Sequence, residues 1–98
     1  MADIGVRLHP LAADEAKSAH QWYTERNAAA AQEFLKELDA AMEAIADAPD
    51  RWPRIHSHYR RFLLHRFPFS VVYIRRQNFV EVIAIAHHRR RPGYWKHR

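Results

Sequence analysis

The 98 residues, 48% of them hydrophobic and none of them cysteine, predict one small domain over residues 1–98 and exclude a disulfide framework or a thiolate metal site. The formal charge of +5 is unevenly distributed, because residues 1–50 hold 4 Lys/Arg and 10 Asp/Glu whereas residues 51–98 hold 12 Lys/Arg and one acid. This positive half predicts attraction to a polyanion or an acidic protein, with a merely solubilising surface as the alternative.

The chain is expected to begin with a short strand and a helix. Apolar and polar residues alternate over residues 4–9 and predict the strand. Pro10 then suits the first turn of a helix expected over residues 11–26. Glu15 lies near the start of this helix, where the positive end of the helix dipole favours an acid.

The clearest periodic signal lies in residues 28–48. Six apolar side chains recur there at helical spacing and form one stripe, which comprises Ala31, Phe34, Leu35, Leu38, Met42 and Ile45. Asn27 is placed to cap this helix, and Pro49 ends it. Because the break between the two helices is tight, they are expected to pack as a hairpin.

The rest of the chain is rich in aromatic and branched residues and predicts three strands, over residues 60–67, 69–76 and 79–87. Their short connections predict an antiparallel meander. On the last strand, the face expected to pack on the helices comprises Val80, Val82, Ala84 and Ala86. The opposite face is expected to comprise Glu81, Ile83, Ile85 and His87.

These elements predict an α+β fold of order β-α-α-β-β-β, followed by a basic C-terminal tail. A helical hairpin should pack on one face of a small, mainly antiparallel sheet. The other face should stay open, and an open face with a positive rim is a natural binding site.

The strongest local feature is the run over residues 87–98. It combines guanidinium groups, which match phosphate or carboxylate, with flat aromatic rings that can stack. The candidate target-binding residues in it are Arg89, Arg90, Arg91, Tyr94 and Trp95. A turn at Pro92 should bring the two rings back toward the arginines. The alternatives are a solvated tail for the arginines and a place in the core for Trp95.

A second basic group lies on the first strand of the meander. Alternation places Arg61 on one face of this strand and Arg60 and Arg66 on the other, so one set must point away from the helices. Arg61 and Arg66 are therefore further candidates for target binding. The alternative is that these charges only protect a sheet edge from aggregation.

Five histidines in the basic half could supply a general base or bind a metal: His56, His58, His65, His87 and His88. None has the helical i, i+4 spacing of a zinc site or an acidic partner nearby, so neither a metal nor another cofactor is expected. A glycine-rich phosphate loop and a nucleophile motif are also missing from the sequence, so nucleotide hydrolysis and acyl transfer are not indicated.

Several segments in order resemble the RelE/ParE toxins of type II toxin–antitoxin systems. They are the helix end at Ala48 and Pro49, the segment RFLLHRFPFSVVY over residues 61–73, and the ending AHHRRRP over residues 86–92. This resemblance spans nearly the whole chain. It implies a toxin that inhibits bacterial growth, often as a plasmid-stabilisation or stress module, and that a cognate antitoxin neutralises.

The resemblance leaves two activities open, because RelE-like members cut mRNA on the ribosome and ParE-like members poison DNA gyrase. Arg61 matches the basic pattern of the RNA-cleaving branch, and the C-terminal part of that pattern is matched by Arg89 or Arg90 and by Tyr94 or Trp95. Leu63 and Ser70, however, stand where further basic residues are expected. RNA cleavage also needs a base and an acid, for which the chain offers His65, His87 and Tyr94. The incomplete set favours the gyrase poison, with the ribosome-dependent mRNA endoribonuclease as the alternative.

The expected partners are a cognate antitoxin, with an acidic segment that folds on binding, and either gyrase or the ribosome with its mRNA. A plain nucleic-acid-binding domain is a third hypothesis, weakened because the common DNA- and RNA-reading motifs are missing from the sequence. No apolar run reaches the ~18–20 residues that cross a bilayer, and no secretion signal is recognisable, so a cytoplasmic protein without a membrane partner is expected.

Overall fold

The computed structural model of the protein describes residues 4–98. Its elements in chain order are β1 (Gly5–Leu8), α1 (Pro10–Thr24), α2 (Ala28–Asp47), β2 (Arg54–His56), β3 (Tyr59–Leu63), β4 (Phe69–Arg75) and β5 (Phe79–His87). The two helices pack on one face of a five-stranded sheet, which confirms the predicted α+β fold with its helical hairpin. None of the helices in residues 4–98 is both long and apolar enough to cross a membrane.

The sheet has the strand order β1-β5-β4-β3-β2. β1 pairs with β5 in parallel, which the crossover through the two helices permits, and every other pair is antiparallel. β1 reaches along β5 only as far as Val82, which is opposite Leu8. The second half of β5 therefore has one edge that no strand covers.

Short-range signals account for the two helices. The side chain of His9 accepts the backbone N–H of Leu11 at the start of α1, and Asn27 accepts the N–H of Ala30 at 3.1 Å at the start of α2. Of the predicted stripe on α2, Leu35 is exposed, Met42 is half-buried, and the other members are buried. Phe34 packs on Phe69 of β4 with a tilted ring, the centroids 5.4 Å apart, and so joins α2 to the sheet.

The first strand of the meander was predicted over residues 60–67, and this range is wrong at its C-terminal end. It stops at Leu63, and residues 64–68 form an irregular turn. The carboxylate of Glu37 on α2 accepts the backbone N–H groups of His65 and Arg66, so these groups bond to a side chain instead of a neighbouring strand. The short strand β2 was not predicted, because three residues are too few for alternation to be a signal, and all three are exposed.

The predicted alternation along β5 holds for Val80 and Val82, which pack on the helices, and is wrong beyond them. The register between β4 and β5 shifts after the pair of Val72 and Ala84, which makes Ile83 an extra residue on β5. A one-residue shift turns every later side chain to the other face. The residues predicted on the wrong face for this reason are Ala84 and Ala86, which lie on the open side, and Ile85 and His87, which face the helix side. The ring of His87 lies 4.9 Å from that of Phe69 in the helix-side core.

Candidate functional site

The open face of the sheet is covered in part by the C-terminal segment, residues 88–98. Trp95 is only 5% exposed and belongs to a small core with Val72 and Ala84, and its ring lies 4.8 Å from that of Tyr59. The predicted turn is present, because Gly93 has a φ of 78° and a Cβ there would lie 2.6 Å from the side chain of Lys96. The basic tail is therefore a docked part of the fold.

A single carboxylate holds this segment against α1. The hydroxyl of Tyr94 donates to Oε2 of Glu15 at 2.6 Å. The guanidinium of Arg98 donates to Oε1 and Oε2 of the same residue at 2.8 and 2.9 Å. We call Glu15, Tyr94 and Arg98 the clamp. Paired, charge-assisted bonds of this kind are among the strongest hydrogen bonds in proteins.

The clamp also completes the uncovered edge of β5. The backbone N–H of Ile85 donates to Oε1 of Glu15 at 3.0 Å, and the carbonyl of Ile83 accepts from Arg98 at 3.0 Å. These are backbone groups for which β1 is too short to supply a partner. Side chains therefore satisfy polar groups that would otherwise be left without a partner at the sheet edge.

The protonation states of the clamp are strongly set. Burial acts to raise the pKa of Glu15, but the hydrogen bonds from Arg98, Tyr94 and Ile85 outweigh it, and the pKa of Glu15 is lowered. Burial and the bond to Glu15 raise the pKa of Tyr94, and the bond to Glu15 raises that of Arg98. At neutral pH the clamp is thus a carboxylate, a protonated phenol and a guanidinium, and it holds position without transferring protons.

A groove of about 600 Å³ lies between the open face and the C-terminal segment, and we call it the basic groove. Its cationic and imidazole lining consists of His56, Arg61, His87, His88, Arg90, Arg91 and Lys96. Its floor consists of Leu63, Ser70, Val72, Ala86 and Trp95. Within residues 4–98, no carboxylate lines the groove, and Arg61, Arg91 and Lys96 form no ion pair. Uncompensated positive charge over an apolar floor suits an anionic ligand or an acidic protein surface.

A second groove of about 1050 Å³, the α1 groove, lies on the other side of the C-terminal segment. Leu11 and Trp22 of α1 line it and are 47% and 51% exposed, which is unusual for large apolar side chains. Tyr94 and Arg90 line both grooves, and the guanidinium of Arg90 stacks 3.9 Å from the centre of the Tyr94 ring. The docked segment is therefore the wall that the two grooves share.

The sequence over residues 6–92 matches the family described as ParE toxin of type II toxin–antitoxin system, parDE. The chain belongs to this toxin family. Its fold is similar to that of a solved structure described as the chromosomal ParDE TA system from P. aeruginosa, with a TM-score of 0.75 and 14% identity. That similarity covers 86% of this chain and 95% of the other. No curated protein matches the sequence. The predicted membership in the RelE/ParE toxins is thereby confirmed.

The seven residues predicted to bind the target of this ParE-family toxin do not all lie together. Those that line the basic groove are Arg61, Arg90, Arg91, Tyr94 and Trp95. Arg89 lines the α1 groove. Arg66 lies on the helix side, where its exposed guanidinium pairs with Glu33 at 3.2 Å. Because the ring of Trp95 is buried, it supports the groove from below and offers no free surface for stacking.

Two residues of the clamp were missed as functional candidates. The position of Glu15 near the start of α1 predicts only a favourable interaction with the helix dipole. Its side chain instead accepts hydrogen bonds from Arg98, 83 residues along the chain. No local spacing connects residues that far apart. The only sequence signal is an excess of basic residues at the end of a chain whose acids lie almost entirely in the first half.

Three of the five candidate histidines, His56, His87 and His88, line the basic groove, whereas His58 and His65 do not. His65 lies in the turn beside Glu37, on the helix side. Burial, followed by the charges of Arg89 and His88, lowers the pKa of His87, whose Nδ1 accepts the backbone N–H of Arg89 at 3.0 Å. Nε2 of His88 lies 3.1 Å from Oγ of Ser70, which is buried. Among residues 4–98, no three His, Asp or Glu side chains are grouped to hold a metal ion.

Proposed function

We propose that this ParE-family protein inhibits bacterial growth by binding and poisoning DNA gyrase, and that a cognate antitoxin neutralises it. The observation that carries the proposal is the chemistry of the basic groove. Its lining offers charge for binding, whereas Tyr94, His87 and His88, three of its four groups that could move protons, are engaged in other contacts. Binding alone is what a non-enzymatic poison requires.

Four side chains next to the groove could transfer protons: Tyr94, His87, His88 and His56. Tyr94 donates to Glu15 and its pKa is raised, so it stays protonated at neutral pH and is not available as a general base. Nδ1 of His87 accepts a backbone N–H, so neutral His87 carries its proton on Nε2. Neither ring nitrogen of His87 is then free to accept a proton from a substrate. His88 is bonded to a buried serine. His56 is the remaining imidazole of the lining, and it has no acidic partner among the groove residues.

Ribosome-dependent cleavage of mRNA is the second candidate function. It is favoured by the same lack of carboxylates in the basic groove, since a groove with unpaired arginines also fits a phosphodiester backbone. This function would need His56 or a rearranged His88 as the general base. The two candidates therefore differ in whether a histidine is required.

The proposed antitoxin contact rests on charge and exposed apolar surface. The basic half of the chain attracts an acidic segment, and Leu11 and Trp22 offer anchors for its apolar side chains. A flexible segment that folds on binding would cover such a surface. Co-expression with the adjacent gene and purification through a tag on this protein tests the contact. Recovery of a short acidic protein at equal stoichiometry is expected, and expression alone without any growth defect or partner would contradict it.

Controlled expression in bacteria separates the two targets. A gyrase poison leaves broken DNA, so we expect induction of the DNA-damage (SOS) response before any change in mRNA. The matched control is an Arg61→Ala variant, which removes one unpaired cation from the groove. Rapid cleavage of translated mRNA without SOS induction would instead establish the second candidate function.

A further inference from the structure

Two members of the clamp, Glu15 and Arg98, lie outside the groove that is proposed to contact the target, and the third, Tyr94, is part of the wall of that groove. Tyr94 and Arg98 bond to Glu15 on α1. Arg91, three residues before Tyr94, and Lys96, between Tyr94 and Arg98, line the basic groove. Trp95 is the other anchor of this segment. His88 bonds to Pro68 and Ser70 at the start of the segment. Beyond it, one apolar anchor and one carboxylate hold residues 89–98, which contain no helix or strand.

We propose that Glu15 is a positioning residue for toxicity: its carboxylate docks the C-terminal segment and thereby assembles the basic groove for an anionic or acidic partner surface. Glu15 does not touch the partner in this account. It acts through Tyr94 and Arg98. The inference rests on the proposed function only in taking the basic groove as the surface that binds the target.

The geometry supports a role in positioning beyond simple stability. All four donors to Glu15 come from the backbone edge of β5 or from the C-terminal segment, and the described residues give it no hydrogen-bond partner on α2. Its removal should therefore free the segment while the two helices and the sheet stay packed. Local opening of this kind is the ordinary behaviour of a segment held by few contacts.

Hydrogen exchange tests the clamp itself, independently of any target. In Glu15→Gln the amides of residues 93–98 should exchange about tenfold to a hundredfold faster, because hydrogen bonds to a charged group are lost. Amides of α2 should keep their protection. The matched control is Asp14→Asn, which removes the same charge from the neighbouring residue, whose side chain is exposed. Unchanged protection of residues 93–98 in Glu15→Gln would overturn the proposal.

Growth inhibition then tests positioning. We expect Glu15→Gln and Arg98→Gln to reduce toxicity by similar factors, and the double variant to be no weaker than either, because both break one interaction. Arg98→Lys, which keeps a cation beside the carboxylate, should retain more toxicity than Arg98→Gln. Losses that multiply in the double variant would mean that the two residues act separately, and would contradict the proposal.

A stability control separates positioning from a general loss of folded protein. Ile45→Val removes one methyl group from a buried side chain of the helix-side core, away from the clamp. It should lower the melting temperature, but toxicity should fall less, for the same change in melting temperature, than in Glu15→Gln. If toxicity follows melting temperature equally in Ile45→Val and Glu15→Gln, Glu15 is only structural and the proposal fails. A wild-type protein that arrests growth without trapping gyrase would contradict the proposed target and leave the result for the clamp intact.

Discussion

Different interactions stabilise the structure on the two faces of the sheet. On the helix side, Phe34, Leu38 and Ile45 pack on Val80 and Tyr73 in a continuous apolar core. On the open side, a much smaller apolar cluster around Trp95 is supplemented by the polar clamp of Glu15. Stability is therefore concentrated on one face, and the charged surface that is proposed to bind the target is built on the other. This division predicts that the faces respond differently to substitution.

The largest effect is expected on the helix side. Leu38→Ala should destabilise the protein by ~2–5 kcal/mol, because it removes a buried side chain and leaves a cavity. Urea denaturation followed by circular dichroism measures this loss, with the exposed Leu35→Ala of the same helix as the control. An unchanged midpoint for Leu38→Ala would mean that the apolar stripe does not carry the fold.

On the open side, substitution should affect function more than stability. Arg61→Ala should weaken target binding by ~1–3 kcal/mol, which is a factor of about 5 to 150, and reduce toxicity with it, while stability changes by less than ~0.5 kcal/mol. Arg66→Ala is the matched control, since it removes the same charge from the helix side. Titration of growth inhibition against protein level provides the measurement. Equal losses in both variants would mean that net charge alone matters, without a defined groove.

The clamp should make the open face sensitive to acid. Because the pKa of Glu15 is lowered in the folded protein, its stabilising contribution is present above the ordinary value of 4.5 and is lost as the pH falls through the lowered value. Between pH 7 and strongly acidic pH, the melting temperature of the wild type should therefore fall more than that of Glu15→Gln. Parallel curves for the two proteins would show that the ionised carboxylate does not stabilise the fold.

The smallest effects are expected for the histidines. If the toxin acts by binding, single His→Gln variants at His56, His65, His87 and His88 should retain nearly full toxicity, since glutamine keeps polarity and removes only the titrating group. Loss of a general base would instead reduce the rate by ~10²–10⁴-fold. Growth inhibition by each variant distinguishes these outcomes. A histidine variant that folds, binds the antitoxin and is harmless would favour RNA cleavage.

Short-range patterns predicted the helix side well and the open side only in part. The stripe on α2 follows from helical spacing alone, and five of its six predicted members are buried or half-buried. The face of β5 changes after Val82 because of the register shift opposite β4, which depends on a partner strand. The contact between Glu15 and Arg98 joins the first helix to the last residue, so neither periodicity nor local spacing could have predicted it.

The central claim is that this ParE-family protein poisons gyrase by binding through its basic groove. The most direct test incubates purified protein with gyrase, supercoiled plasmid and ATP, followed by denaturation to reveal cleaved DNA. The account predicts linear plasmid with the wild type, less with Arg61→Ala and an unchanged amount with Arg66→Ala. A wild-type protein that leaves gyrase unaffected but cuts mRNA on purified ribosomes would contradict it.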